Sequence, residues 1–275
     1  MKRLNLPVPC VAVLTLATIC FAQTPRTYAQ QLTPTPAVSA SAGSAAMQKA
    51  SQDGKYLFVY FWKQNDQQTQ SMQGVFQDAL GKMTNTADAI SVQVTDPSNT
   101  EIVNKFGVSR APMPLVLAIA PNGAITKGLP ISFNEQQLQE AVVSVGTANC
   151  LKALQDQKLV LLCVKHEMDT NAFQGTRALL KDARYSASSQ MVTIDPADKS
   201  EQTFLQSLKV DPLASDGVTV VLTPPGQPVA TFPESATRDQ MVEKLTSLSS
   251  SCCPGGKCAP GQKCCPGGKC PPAAK

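Results

Sequence analysis

The sequence predicts an α/β protein: two tandem domains, each a central mixed sheet flanked by helices, with a disordered leader and linker in front and a cysteine-rich tail behind. Three observations carry this. β-Prone runs alternate with segments of helical periodicity from about residue 46 to residue 248. The same order of elements occurs twice, at an offset of 102 to 103 residues. A chain of 275 residues with 43% hydrophobic content is also long enough to bury two cores.

The first residues read as an export signal. Lys2 and Arg3 precede a mostly apolar run over residues 8–21, and small residues follow at Ala22 and Ala29. Cleavage after Ala22 is favoured, with Ala29 as the other position, and the run is shorter than the roughly 20 apolar residues that span a bilayer. The expected compartment is therefore periplasmic or extracellular, with no transmembrane segment in the mature chain. There, disulfides persist. Residues 23–45 read as a linker, because "TPTPAVSASAGSAAM" (33–47) lacks large apolar side chains.

The first domain is expected over residues 46–148. Tyr56-Leu57-Phe58-Val59-Tyr60-Phe61-Trp62 is a continuous β-prone run suited to a strand buried on both faces. Met72, Val75, Phe76, Ala79, Leu80 and Met83 follow at helical spacing, and Ile90-Ser91-Val92-Gln93-Val94 predicts a second strand ending at Asp96-Pro97. A short helix turns Ile102, Val103 and Phe106 inward. Residues 115–120 and 124–127 flank Pro121-Asn122-Gly123, a hairpin signal. Ser132-Phe133-Asn134-Glu135 predicts a capping box ahead of a closing helix with Leu138, Ala141, Val142 and Val145 on one face. Residues 146–149 are left as the separation between domains.

The second domain, residues 149–248, repeats that order. Residues 159–164 predict the buried strand, Leu179, Leu180 and Ala183 a helix, and Met191-Val192-Thr193-Ile194 a strand again ending in Asp-Pro. Phe204, Leu205 and Leu208 repeat Ile102, Val103 and Phe106; Met241, Leu245 and Leu248 repeat Leu138, Val142 and Val145. A constant offset over separate elements indicates tandem duplication.

The order β-α-β-α-β-β-α resembles the thioredoxin fold, most closely at "FGVSRAPMPLVLAIAPNG" (106–123) and at "DGKYLFVYFW" (53–62). The resemblance implies a cis-proline before the hairpin, assigned to Pro112, and a partner-binding groove beside it flanked by Arg110 and Met113. It also implies a Cys-x-x-Cys pair after the first strand, at a helix start that lowers the attacking thiol's pKa. This chain departs from that pattern. "WKQNDQQTQSMQG" (62–74) contains no cysteine, and neither does the stretch after residue 164. Tyr60 stands where the family's buried acid would be. Dithiol exchange by the family mechanism is therefore not expected in either domain, and no catalytic residue is assigned.

His166, the one histidine, has Met168 two residues on, a pair able to ligate copper or else an ordinary loop histidine. Cys163 lies inside an apolar strand, either as a small buried hydrophobe or bonded to Cys150. The remaining mature thiols lie in residues 249–275, where Cys252, Cys253 and Cys258 and then Cys264, Cys265 and Cys270 surround two Pro-Gly-Gly turns. Converging thiolates suit Cu(I), and four of the six could hold Zn(II).

Charge excludes little except nucleic acid. Lys2, Arg3, Arg26 and four tail lysines account for seven of the 24 basic residues, leaving 17 against 20 acidic ones in the body. Three functions stay open at this point: soft-metal binding with the body as carrier, a protein or envelope partner held through an oxidised tail, and thiol exchange by tail thiols.

Overall fold

The computed structural model describes residues 42–166, 171–211 and 216–250. The first half runs α1 (Ala42–Gln52), β1 (Tyr56–Trp62), α2 (Gln67–Gly81), β2 (Ala87–Gln93), α3 (Thr100–Phe106), β3 (Leu115–Ile119), β4 (Ile125–Pro130) and α4 (Glu135–Gln139). Its sheet has the order β2-β1-β3-β4. β1 pairs parallel with β2 and antiparallel with β3, and β3 pairs antiparallel with β4.

β1 is buried on both faces, as its unbroken apolar sequence requires. Tyr56, Phe58 and Tyr60 point into one core with Phe76 and Leu80 of α2 and Leu138 of α4. Leu57, Val59 and Phe61 point the other way, against Ala50 of α1 and Ile102 and Val103 of α3. Each fully buried large side chain of this kind contributes about 1.5–3 kcal/mol by leaving water.

The second half repeats the plan with α5 (Val145–Gln155), β5 (Leu159–Val164), α6 (Gln174–Lys181), β6 (Ser189–Ile194), α7 (Gln202–Ser207), β7 (Val218–Thr223), β8 (Gln227–Pro233) and α8 (Arg238–Ser250). The sheet order β6-β5-β7-β8 matches the first sheet strand for strand. The register repeats as well. Leu115 faces Pro130 and Val218 faces Pro233; Ile119 faces Ile125 and Leu222 faces Pro228. Left-handed residues recur at the same interval, Gly54 with Gln157 and Gly123 with Gly226.

Four expectations are corrected. Residues 42–45, read as linker, are the first turn of α1, because Gly43 lets that turn approach the Ile102 side chain. The capping box uses Asn134 and Gln137, not Ser132 and Glu135, and α4 is only five residues long. Val145 is 78% exposed rather than core. Residues 146–149, read as the separation between the halves, are helical: Ser144 caps α5, and those residues are its opening turns. The helix that the sequence reading ended at Val145 is two helices, divided where Ser144 accepts from the Thr147 amide.

α5 occupies in the second half the place α1 has in the first. Gly43 and Gly146, and Ala50 and Ala153, stand 103 residues apart at equivalent helix positions. Both halves belong to one compact unit.

Candidate functional site

The stretch after β1 holds an ordinary helix cap. Asp66 accepts from the Thr69 amide at 2.8 Å, and that bond holds its carboxyl below the usual range. Beneath it, the Tyr60 hydroxyl donates to the Thr69 carbonyl at 2.6 Å. Burial, helped by the Asp66 charge, pushes the Tyr60 phenol up to about 12. Tyr60 is thus a neutral, hydrogen-bonded core residue at neutral pH, with no thiol beside it to serve.

The cis-proline is Pro114, not Pro112. The sheet decides between them. β3 begins at Leu115, and the Pro114 carbonyl accepts from the Ile131 amide at 2.7 Å, extending the β3–β4 ladder by one step. Pro114 is buried at the head of the strand, whereas Pro112 lies exposed two residues upstream. Arg110 ends the short 3-10 turn Val108–Arg110 and is exposed. Met113 is half-buried and packs towards the core of Leu57, Phe61 and Leu115. Of the three residues assigned to a groove, Met113 supplies the carbonyl side of the cis-peptide itself, Arg110 lies three residues before it, and the cis-proline is Pro114 in place of Pro112.

Ile131 was missed by sequence reasoning. It is 48% exposed and has φ 69°, a left-handed conformation that costs a β-branched residue of order 1–3 kcal/mol. The Gln68 amide donates to its carbonyl at 3.2 Å. No local signal marks it, since only the pairing of its amide with Pro114 places it there.

The equivalent place in the second half is charged. The Glu234 amide donates to the Gly217 carbonyl at 2.8 Å, so Gly217 stands for Pro114 and Glu234 for Ile131. Lys165 pairs with Glu234 at 2.7 Å. A Cβ on Gly217 would meet Glu234 Oε2 at 2.7 Å and Phe173 Cζ at 3.0 Å, so the space a proline ring would take is filled. A cleft of about 660 Å³ lies beside it, lined by Asn171, Gln174, Asp216, Glu234 and Arg238 among others.

His166 is exposed, with Nδ1 3.0 Å from Asp195 Oδ1. That contact, with the Ala197 amide, keeps the Asp195 carboxyl below its ordinary range. Met168, its expected copper partner, lies outside the described residues. Among the described residues no group of three or more His, Cys, Asp or Glu side chains is placed to hold a metal ion.

Cys150 and Cys163 are both free and buried. The alternation of β5 keeps them apart. Val160, Leu162 and Val164 share a face with Cys150, while Cys163 points to the opposite face with Ala172 and Phe173. The sheet lies between the two sulfurs, so the disulfide is not formed. Burial pushes Cys150 up to about 12 and Cys163 up to about 11. Cys163 Sγ lies 3.6 Å from Thr219 Oγ1, which in turn is 3.1 Å from Thr176 Oγ1. Cys252, Cys253, Cys258, Cys264, Cys265 and Cys270 lie outside the described residues, as do the leader and linker up to residue 41.

Comparison with solved structures returns thioredoxin-like proteins. Thioredoxin O2 of Arabidopsis thaliana in its oxidized state is 14% identical, matching 35% of this chain and 79% of its own, with a TM-score of 0.29. Fasciola hepatica thioredoxin is 19% identical over 34% of this chain and 84% of its own, with a TM-score of 0.28. The zinc-bound form of human ERp44 is 10% identical over 77% of this chain and 60% of its own, with a TM-score of 0.33. No family model matches the chain and no curated protein matches it. Similarity at this level assigns no residue a role. The strand order and the parallel first pair, present here twice in tandem, are themselves the plan of a thioredoxin-like domain, and the first half adds a cis-proline at the head of β3. No helix among the described residues is long and apolar enough to cross a membrane.

Proposed function

We propose that this is an exported, non-enzymatic protein that binds a soft metal ion, Cu(I) or Zn(II), through Cys252, Cys253, Cys258, Cys264, Cys265 and Cys270, with the tandem body as its carrier. One observation carries the reading: the only two thiols of the body are buried on opposite faces of one sheet and held protonated at neutral pH. Thiolate chemistry at neutral pH is thereby left to the six tail cysteines, whose duplicated unit places three cysteines about each Pro-Gly-Gly in the sequence. The tail lysines favour thiolate over thiol and offset part of a cluster's negative charge.

Native intact mass spectrometry of the mature protein, thiols blocked on lysis, tests this beside a chain ending at Ser251. Extra mass equal to bound metal, lost with the tail, is the expected result. A metal-free mass short of two hydrogens per disulfide would replace this reading with a covalent tether to an envelope partner.

A second reading concerns the first half. Ile131, half-exposed and strained beside Pro114, together with Met113 and Arg110, supports a site for a protein partner there. Ile131→Asp and Arg110→Ala should each weaken capture of such a partner while leaving metal content unchanged. Unaltered capture by both variants would leave the first half as scaffold only.

A further inference from the structure

We infer that α5 is a strut shared by both halves, so that the body is one rigid, cooperatively unfolding unit with no hinge, closed at two repeats. The helix has two buried faces. Towards the second half it packs Cys150, Ala153 and Leu154 against β5 and β7 residues. Its first turn is locked there by Glu201, which is only 4% exposed and accepts from the Gly146 amide at 3.1 Å and from Thr147 Oγ1 at 2.9 Å. Gly146 has to be glycine for this contact, since a Cβ would collide with the Glu201 carboxylate and stand 2.8 Å from Ile194 Cγ1.

Towards the first half the same helix inserts Ala148 and Leu151 into the core built on Phe58 and Tyr60. Asn122 Nδ2 donates to Asn149 Oδ1 at 2.9 Å. The Gln155 amide behaves like a strand residue: its oxygen accepts from the Ile125 amide at 2.9 Å and its nitrogen donates to the Ile125 carbonyl at 2.7 Å. That pairing caps the free edge of β4.

The connector is pinned too. Thr126 Oγ1 donates to the Ala141 carbonyl at 2.6 Å, and the Tyr56 hydroxyl donates to the Val143 carbonyl at 2.6 Å while accepting from the Val143 amide at 3.2 Å. Hinges are short segments able to absorb a large backbone change, and anchors at 141 and 143 on the first half and at 146 on the second leave no such segment here.

The outer ends of the pair lack this chemistry. On α1, the positions equivalent to Ala148, Leu151 and Gln155 are Ala45, Gln48 and Gln52, all exposed. In the second half, the positions equivalent to the core residues Ala120, Ala124 and Ala141 are Thr223, Gln227 and Lys244. Polar outer faces of this kind end a repeat array.

Urea unfolding of the full chain tests the inference with two probes. Fluorescence of Trp62, the one tryptophan, reports the first half; pulse alkylation of Cys163, resolved by peptide mass, reports the second. Coincident midpoints are expected, and clearly separated midpoints would overturn the inference. Val59→Ala, which empties part of the first core, separates coupling from coincidence. It should lower the Cys163 midpoint by the same urea increment as the Trp62 midpoint. A Cys163 midpoint that does not move sinks the idea.

Discussion

α1 and α5 are the same helix in two settings. Each precedes the buried strand of its half, and each brings a glycine against a neighbouring side chain, Gly43 against Ile102 and Gly146 against Glu201 and Ile194. α1 leaves Ala45 and Gln48 exposed; α5 buries the equivalent Ala148 and packs Leu151 between the halves. The difference teaches that a helix's role in a tandem protein is set by what its outer face meets, since its inner face obeys the same rule in both copies.

The largest test of that difference is a charge on the outer face. Ala148→Asp places a carboxylate in the first core without a partner and should cost about 3–5 kcal/mol, whereas Ala45→Asp should stay within about 0.5 kcal/mol. Urea denaturation of the two variants measures both, and equal effects would erase the distinction. The glycines come next. Gly146→Ala must displace the Glu201 carboxylate from its two donors and should cost about 2–3 kcal/mol. Gly43→Ala meets the side chain of Ile102, nearest at 2.6 Å, in the opening turn of an end helix, and should cost about 1 kcal/mol.

The thiols sharpen the comparison by pH, because both belong to the second half. Their folded pKa values, about 12 for Cys150 and about 11 for Cys163, lie above the unfolded value of about 8.5. Above that unfolded value the folded state holds more protons, so stability falls as pH rises towards 11. The loss should be about 1–2 kcal/mol per thiol by pH 10, and none is expected from this source below about pH 8. Unfolding midpoints compared between the parent and a Cys150→Ala, Cys163→Ala chain measure the thiol share; parallel curves above pH 9 would exclude it. Gln155→Ala removes two exposed bonds to Ile125 and should cost about 1 kcal/mol, against almost nothing for Gln52→Ala.

Legibility differed by element for physical reasons. β1 and β5 were readable because a strand covered on both faces must be apolar at every position, whatever packs on it. The hairpins were readable from Pro121-Asn122-Gly123 and Pro224-Pro225-Gly226, where the turn chemistry is local. α1 was not. "AGSAAMQKASQ" has the composition of a linker, and its small residues make sense only once Ile102 lies against Gly43. Between Pro112 and Pro114 the local sequence could not choose, because the choice follows from where Pro130 pairs with Leu115. In the candidate groove, Arg110 and Met113 could be named in advance, but Ile131 could not, since its amide meets Pro114 across the sheet.

The sequence by itself determined the duplication, the strand content of both sheets and the lack of a thiol pair after either buried strand, because these are properties of residue type at fixed spacing. Tertiary structure decided the rest. It made residues 146–149 the opening turns of a helix, split Cys150 from Cys163 by a sheet, and made one helix the common wall of two cores. The reason is the same in each case. A strand's double burial is written in its own residues, whereas the second face of α5 is written partly in Ala120, Asn122, Ala124 and Ile125, some 25 to 30 residues away, and has no meaning until the chain brings them together.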